Sequence, residues 1–106
     1  MKMARFDVYQ HPQADARRRT PFLLDVQNNF IDGLETRVVI PLRSPALYRH
    51  RLRDLNPELE VNGKRVVLDT SAIAAIPVRE LGKCVDNLRP HGADIQSALD
   101  CLFGAY

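Results

Sequence analysis

Two short apolar segments separated by a polar connection constrain this chain more than any other feature. Phe22–Val26 and Val38–Leu42 are rich in branched and aromatic side chains, and each has the length of a buried strand. The connection carries Asp32-Gly33, where glycine supplies the positive φ that a turn often needs. The pattern therefore predicts a β-hairpin. Because Pro41 has no backbone N–H, we expect the second strand to lie at a sheet edge or to carry a bulge.

Other segments predict further short strands. Residues Ala4–Tyr9 alternate as a strand does, with Phe6 and Val8 on one face. Asn62-Gly63 lies between two β-prone runs, which predicts a tight hairpin with a type I′ turn. Ser71–Val78 is apolar and β-branched enough to form another strand.

Two helices are predicted, and they complete the fold class. Ser44-Pro45 is typical of a helix start, and Asn56-Pro57 should end that short helix. The last helix should begin near Asp94, with one apolar face formed by Ile95, Ala98, Leu99, Leu102 and Phe103. The sequence thus predicts an α+β fold: a small, partly open antiparallel β-barrel with a C-terminal α-helix, in a single domain over residues 1–106.

Composition excludes several classes of protein. The chain has 106 residues and is 45% apolar, and no apolar run approaches the roughly 18 residues of a membrane span. The net charge of +2 is too small to require a nucleic-acid partner. The first residues, Met1–Arg5, lack a signal-peptide core, so we expect a cytoplasmic protein without membrane attachment.

The histidines and cysteines give no sign of a cofactor or metal site. His11, His50 and His91 share no metal-ligand spacing with Cys84 or Cys101. The two cysteines fit a reducing compartment as small buried side chains, although a disulfide between them stays open from sequence. No phosphate loop, nucleophile elbow or metal-binding helix motif appears, so the sequence predicts neither catalysis nor a cofactor.

The order of several short motifs resembles that of the CcdB family of bacterial toxins. The central match runs Asp25-Val26-Gln27, then Ile31-Asp32, then Arg37-Val38-Val39-Ile40-Pro41-Leu42. Further matches in register are Phe6, Val8, Tyr9, Ile76-Pro77-Val78, Gly82, Asp94-Ile95, Ala98 and Phe103. The resemblance covers nearly the whole chain, apart from a longer connection around His11–Arg19.

This resemblance implies a function that the residues alone do not. Proteins of the CcdB family are homodimers that bind the A subunit of DNA gyrase and trap it on cleaved DNA, and they are not enzymes. A CcdA-like antitoxin removes them through a disordered acidic segment that folds on the toxin. Toxin and antitoxin also bind operator DNA, with contacts supplied by the antitoxin. We therefore expect the same partners here.

The resemblance also implies which residues contact gyrase, and here the chain departs from the family. The matching positions are Phe30, Ile31, Asp100, Phe103, Gly104, Ala105 and Tyr106. The family ends in tryptophan, glycine and isoleucine where this chain has its last three residues. Tyr106 offers an aromatic ring two positions later, which on a continuing helix would point about 200° away from Gly104. The tyrosine can replace the tryptophan only if the last turn unwinds.

Two further hypotheses stay open from the sequence. Arg17, Arg18 and Arg19 lie in a loop that we predict to be exposed and mobile. There they form either a solvated surface or a binding site for the acidic segment of the antitoxin. Together with His11 they could instead serve an endoribonuclease of the MazF/Kid type, a related toxin class. The missing tryptophan suggests another alternative, a family member that has lost gyrase poisoning and acts only as an antitoxin-binding regulator.

Overall fold

The structure is a computed structural model that describes residues 3–31 and 33–104. It contains seven strands and one α-helix, which confirms the predicted α+β class. The strands are β1 (Asp7–Gln10), β2 (Phe22–Asp25), β3 (Thr36–Arg43), β4 (Glu58–Val61), β5 (Lys64–Leu68), β6 (Ala74–Pro77) and β7 (Cys84–Asn87); the helix α1 is Gly92–Phe103. Short 3-10 helices lie at Ala14–Ala16, Pro45–Leu47, Thr70–Ala72, Val78–Glu80 and Arg89–His91.

The strands form one curled antiparallel sheet in the order β4-β5-β3-β2-β1-β7, with β6 paired to the first half of β3. The two ends of this sheet approach each other. Asn62, at the tip of the β4–β5 hairpin, donates from Nδ2 to the carbonyl of Val85 in β7 at 3.0 Å. Side-chain bonds replace a strand ladder at this seam, so the barrel is partly open as predicted.

The core fills the concave side of the sheet, and α1 covers it. Fully buried side chains come from every strand of the main path except β7, among them Val8, Leu24, Ile40, Val61 and Leu68. The helix contributes Ile95, Ala98 and Leu99 to the same cluster. Of its predicted apolar face, Leu102 is half-buried and Phe103 is exposed, so the last turn of α1 faces away from the core.

Both hairpins predicted from turn residues are present. β2 pairs antiparallel with β3, and Gly33 in their connection has a φ of 73°, while Asp32 lies outside the described residues. At the second hairpin Asn62 and Gly63 have φ values of 49° and 82°, the two positive values that a type I′ turn requires.

The prediction that Pro41 marks an edge strand or a bulge is wrong. β3 has partners on both sides: β2 on one, and β6 followed by β5 on the other. The pairing with β6 ends at Val39 and the pairing with β5 begins at Leu42, so Pro41 lies where one neighbour gives way to the next. Its carbonyl accepts from the N–H of Asp69, and no ladder bond needs the donor that proline lacks.

The predicted helix after Ser44 is also wrong. Only the 3-10 helix Pro45–Leu47 forms, and Tyr48 leaves the helical region with a φ of −132°. The hydroxyl of Tyr48 bonds to Asp69, and the Nδ2 of Asn56 donates to the carbonyl of Leu68. These contacts fix the segment against β5, which a short isolated helix is too weak to resist.

Several element boundaries differ from the prediction, and one strand was missed. β1 begins at Asp7 rather than Ala4, because Phe6 has a φ of 74° and breaks the extended chain. The strand predicted over residues 71–78 is confined to β6, and α1 begins at Gly92 rather than Asp94. The missed strand β7 follows Gly82, where a Cβ would collide with the carbonyl oxygen of Gln10 in β1.

Two searches of the described residues bear on the chemistry of the chain. No helix within residues 3–31 and 33–104 is long and apolar enough to cross a membrane. In the same part of the chain, no three histidine, cysteine or acidic side chains gather as a metal site would require. Cys84 and Cys101 are half-buried free thiols, so the disulfide left open from sequence does not form.

Candidate functional site

Three apolar side chains predicted as contacts are exposed on two elements. Phe30 is 95% and Ile31 46% exposed on the loop after β2, and Phe103 is 69% exposed at the end of α1. Exposure of aromatic rings costs free energy in an isolated domain and is typical of surfaces that bind another protein. We call Phe30, Ile31 and Phe103 the aromatic surface.

A buried polar network holds the loop that carries Phe30 and Ile31. The carbonyl oxygen of Ile31 accepts from the Nε2 of Gln27 at 3.0 Å and from the Nη1 of Arg37 at 3.3 Å. The Oε1 of Gln27 accepts from the N–H of Val38 in β3 at 3.1 Å. Two side chains anchored in the sheet therefore fix the backbone at the exposed end of the loop.

Arg37 in turn is held by a buried ion pair. Its Nε donates to the Oδ2 of Asp25 at 2.7 Å, and the side chains are 4% and 0% exposed. The other carboxylate oxygen of Asp25 accepts from the N–H of Gln27 at 2.9 Å. Burial raises the pKa of Asp25, and the Arg37 guanidinium together with the Gln27 N–H opposes that rise. The pair is thus both costly to bury and specific in geometry.

We expect a Gln27→Leu substitution to loosen this loop. The substitution keeps the size of the side chain but leaves the half-buried N–H of Val38 without its acceptor, at a cost of about 1–2 kcal/mol in the free energy of unfolding. The N–H of Ile31, which donates to the carbonyl of Asn28, should exchange with solvent faster than in the unmodified protein. Chemical denaturation and amide hydrogen exchange measure the two effects.

The same substitution at the exposed Gln13 is the matched control for this prediction. Gln13→Leu should change the free energy of unfolding by less than about 0.5 kcal/mol. If Gln27→Leu leaves the exchange of the Ile31 amide at the rate of the Gln13→Leu control, the network does not hold the loop.

Arg5 connects the loop to the helix. Its N–H donates to the Oδ1 of Asn29 at 2.6 Å, and its Nη2 donates to the Oε1 of Gln96 at 2.9 Å. Gln96 lies in α1, and its Nε2 donates to Asp100 at 3.0 Å. The loop bearing Phe30 and the first half of α1 are therefore attached to one residue, and Phe103 lies about 10 Å further along the same helix.

The end of α1 places the remaining predicted contacts. Asp100 is half-buried, and its carbonyl accepts from the N–H of Gly104. Gly104 has a φ of 74°, the left-handed conformation that ends a helix. The α-helix therefore ends at Phe103, and Gly104 is its C-cap. Ala105 and Tyr106, the last two predicted contacts, lie outside the described residues.

The three consecutive arginines lie elsewhere on the molecule. Arg18 and Arg19 are exposed, and their carbonyl oxygens accept from the Oγ and N–H of Ser44 after β3. Arg17 is half-buried and donates to the carbonyl of His11. These arginines precede β2 whereas Phe30 follows it, and the four-residue strand spans about 13 Å. The structure therefore does not bring the arginines and the aromatic surface together.

A comparison with protein-family models decides the family. The model described as "CcdB protein" matches residues 5–104 of the 106-residue chain. The chain belongs to the CcdB family. Members are toxins of toxin–antitoxin systems and are not themselves enzymes. The matched range includes Phe30, Ile31, Asp100, Phe103 and Gly104.

The geometry of this CcdB-family toxin around His11 gives the ribonuclease hypothesis no support. The Nδ1 of His11 accepts from the N–H of Gln13 at 3.1 Å, so one imidazole nitrogen is occupied by the local turn. Arg17 bonds to the backbone of His11 and not to its ring. Burial lowers the pKa of His11, and the neighbouring Arg17 charge lowers it further. No acid–base pair forms between these side chains.

Sequence reasoning missed the polar residues that support the aromatic surface. Arg5 and Asn29 are separated by 24 positions, and Arg5 and Gln96 by 91 positions, so no local spacing relates them. A signal did exist for Asp25: a charged side chain within an apolar run predicts either a buried polar partner or a functional role. Its partner Arg37, at the start of the next strand, carries the same signal.

Proposed function

We propose that this CcdB-family toxin binds the A subunit of DNA gyrase and traps gyrase on cleaved DNA. The observation that carries the proposal is the aromatic surface, in which two highly exposed phenylalanines sit on elements tied to one arginine. Exposed aromatic side chains on a rigid support are typical centres of protein–protein binding. The proposed contacts are Phe30, Ile31, Asp100, Phe103, Gly104, Ala105 and Tyr106.

We further propose that a CcdA-like antitoxin neutralises the toxin, and that its acidic segment binds Arg17, Arg18 and Arg19. A pocket of about 450 Å³ beside Arg18 and Arg19, lined also by Asp15 and Leu47, offers both charge and apolar contact. The arginines lie at the far end of β2 from Phe30, so a segment that displaces gyrase has to extend along the sheet. A long disordered segment suits that task. Operator DNA binds through the antitoxin, and the toxin acts as a homodimer.

The test is a supercoiling and DNA-cleavage assay with purified gyrase from the source bacterium. We expect the protein to inhibit supercoiling and to accumulate cleaved DNA, and we expect deletion of Gly104–Tyr106 to weaken both effects. Light scattering and a melting curve establish that each variant is folded and dimeric.

Two other outcomes carry information about the alternatives. Cleaved DNA that accumulates equally without the last three residues would assign the contact to the other four proposed residues, Phe30, Ile31, Asp100 and Phe103. A folded dimer without effect on gyrase would contradict the proposal and favour an antitoxin-binding regulator that no longer poisons the enzyme.

A further inference from the structure

A polar pocket of about 300 Å³ lies beside the aromatic surface. It is lined by Ala4, Arg5, Phe6, Asn29, Asn87 and Arg89. Two arginines and Asn29 provide donors, whereas the Nδ2 of Asn87 already donates to the carbonyl of Arg5 and to Asp7. The lining itself contains no acidic side chain. The pocket therefore has a positive potential and suits a small anion.

Neither arginine of the pocket has a carboxylate partner among the residues that the structure describes. The ion pairs there belong to Arg37, Arg43, Arg51 and Arg65. The nearest acid along the chain, Asp7, already accepts from the N–H of Ala4 and from the Nδ2 of Asn87. Asp7 therefore places one negative charge against two residues of the lining, Ala4 and Asn87, and the charges of the two arginines outweigh it.

The guanidinium of Arg5 is held in place before any ligand arrives. It lies 4.8 Å from the centroid of the Phe6 ring and donates to Gln96, while its Nε is buried without a hydrogen-bond partner. Because this Nε is covered by protein, an anion in the pocket meets the outer nitrogens of the fixed guanidinium, in charge-assisted hydrogen bonds. Arg89 is exposed and supplies a second charge at the pocket mouth.

Backbone strain is concentrated at the same place. Phe6 has a φ of 74°, which is rare for an aromatic residue and is a strained conformation. Its N–H donates to Asp25, its carbonyl accepts from Leu88, and its ring lies where a Cβ on Gly92 would be crowded. These contacts hold Phe6 in its strained conformation. Arg5, the residue before it, thereby lies between the loop that carries Phe30 and the helix α1.

We propose that this pocket binds an aspartate or glutamate side chain of the protein that docks on the aromatic surface. The inference rests on the proposed function, because the A subunit of gyrase is that docking protein. A charged pair beside buried aromatic rings fixes the register of a complex, whereas the rings supply most of the affinity. A protein carboxylate suits the site better than a DNA phosphate because the adjoining Phe30 and Ile31 offer apolar contact.

The first experiment compares charge-neutral variants in binding to the purified A subunit of gyrase. Arg5→Gln and Arg89→Gln should each weaken binding tenfold or more at low salt. Arg79→Gln, the same change at an exposed arginine on the 3-10 helix after β6, should stay within about twofold of the unmodified protein. Arg89 is exposed, so its variant should fold even if Arg5→Gln does not. Equal affinity for Arg89→Gln and Arg79→Gln would overturn the proposal.

A second experiment does not need gyrase. The Nε–Hε signals of arginine in the full-length protein are followed by NMR during titration with propionate or dimethyl phosphate at constant ionic strength. Propionate, which mimics a glutamate side chain, should shift the signals of Arg5 and Arg89 saturably, and Arg89→Gln should reduce the shift at Arg5. Absence of a propionate effect, or saturation by dimethyl phosphate alone, would contradict the carboxylate assignment.

The two experiments separate this inference from the proposed function. If propionate shifts the arginine signals but the protein does not bind gyrase, the carboxylate-binding pocket is supported and gyrase is rejected as the target. If gyrase binding depends on Phe103 but not on Arg5 or Arg89, the proposed function is supported and the proposal that the pocket binds a carboxylate of gyrase is rejected.

Discussion

Replacement of Arg37 by leucine is expected to lower the free energy of unfolding by about 3–5 kcal/mol. The substitution leaves the carboxylate of Asp25 fully buried without the guanidinium that lies 2.7 Å from it. It also removes the Nη1 donor from the carbonyl of Ile31. Such a loss is a large fraction of the stability of a domain of this size, and urea denaturation followed by circular dichroism measures it.

An exposed ion pair is the control for this prediction. Arg65→Leu removes one of the two arginine partners of Glu58, and it should cost far less than Arg37→Leu because water and Arg51 still solvate the remaining charge. If the Arg37 and Arg65 variants lose the same stability, the buried pair contributes nothing beyond a surface pair. The double variant Asp25→Asn/Arg37→Leu should be more stable than Arg37→Leu alone, since no unpaired charge remains.

The pH dependence of the Arg37→Leu variant provides an independent check. Without the guanidinium, the pKa of Asp25 in the folded state rises further above its value in the unfolded chain. The folded variant then binds a proton more readily than the unfolded chain, so its stability decreases as the pH rises through the folded-state pKa. Arg37→Leu should therefore be destabilised less in mildly acidic than in mildly alkaline buffer. A pH-independent difference from the unmodified protein would contradict this account.

Local sequence signals predicted those parts of the fold that depend on neighbouring residues. The apolar runs of β2 and β3 and the Asn62-Gly63 turn specify their own conformations, because strand propensity and positive φ are local properties. The strand β7 carries no apolar alternation and forms through pairing with β1, so its signal lies in a distant partner. The irregular segment after Leu47 depends likewise on Asp69 and Leu68, far along the chain.

The candidate site shows the same difference between features that local sequence predicts and features that depend on distant residues. The resemblance to the CcdB family indicated Phe30, Ile31 and Phe103, and the structure shows that all three are exposed. It could not indicate the network through Arg5, because the residues that Arg5 joins are close only after the sheet has curled. Sequence motifs therefore indicated the exposed contact residues, whereas the polar groups that position them could be identified only from the tertiary structure.

Phe103→Ala is expected to weaken binding to the A subunit of gyrase by about 30-fold to 1000-fold. An aromatic residue at the centre of an interface contributes about 2–4 kcal/mol, and each 1.4 kcal/mol corresponds to a factor of ten. Because Phe103 is 69% exposed in the free protein, its replacement should change the free energy of unfolding by less than about 0.5 kcal/mol. Calorimetric titration of the purified variant against the A subunit of gyrase measures the affinity.

Leu52→Ala is the matched control for this second prediction. Leu52 is 67% exposed, as Phe103 is, but it lies in the irregular segment between β3 and β4. Its replacement removes a similar exposed apolar area and should leave the affinity for gyrase unchanged. Equal losses in the two variants would mean that general surface hydrophobicity, and not the aromatic surface, drives the binding.

The helix end explains why Phe103 should carry much of the affinity. α1 fixes the direction of the Phe103 side chain, and the helix ends at Gly104, which has a positive φ. A ring held by a helix has little conformational entropy left to lose on binding. The family tryptophan falls at Gly104, so Phe103, one position earlier, is the neighbouring ring that can replace it. If deletion of Gly104–Tyr106 abolishes binding while Phe103→Ala does not, the ordered ring is not the centre of the contact.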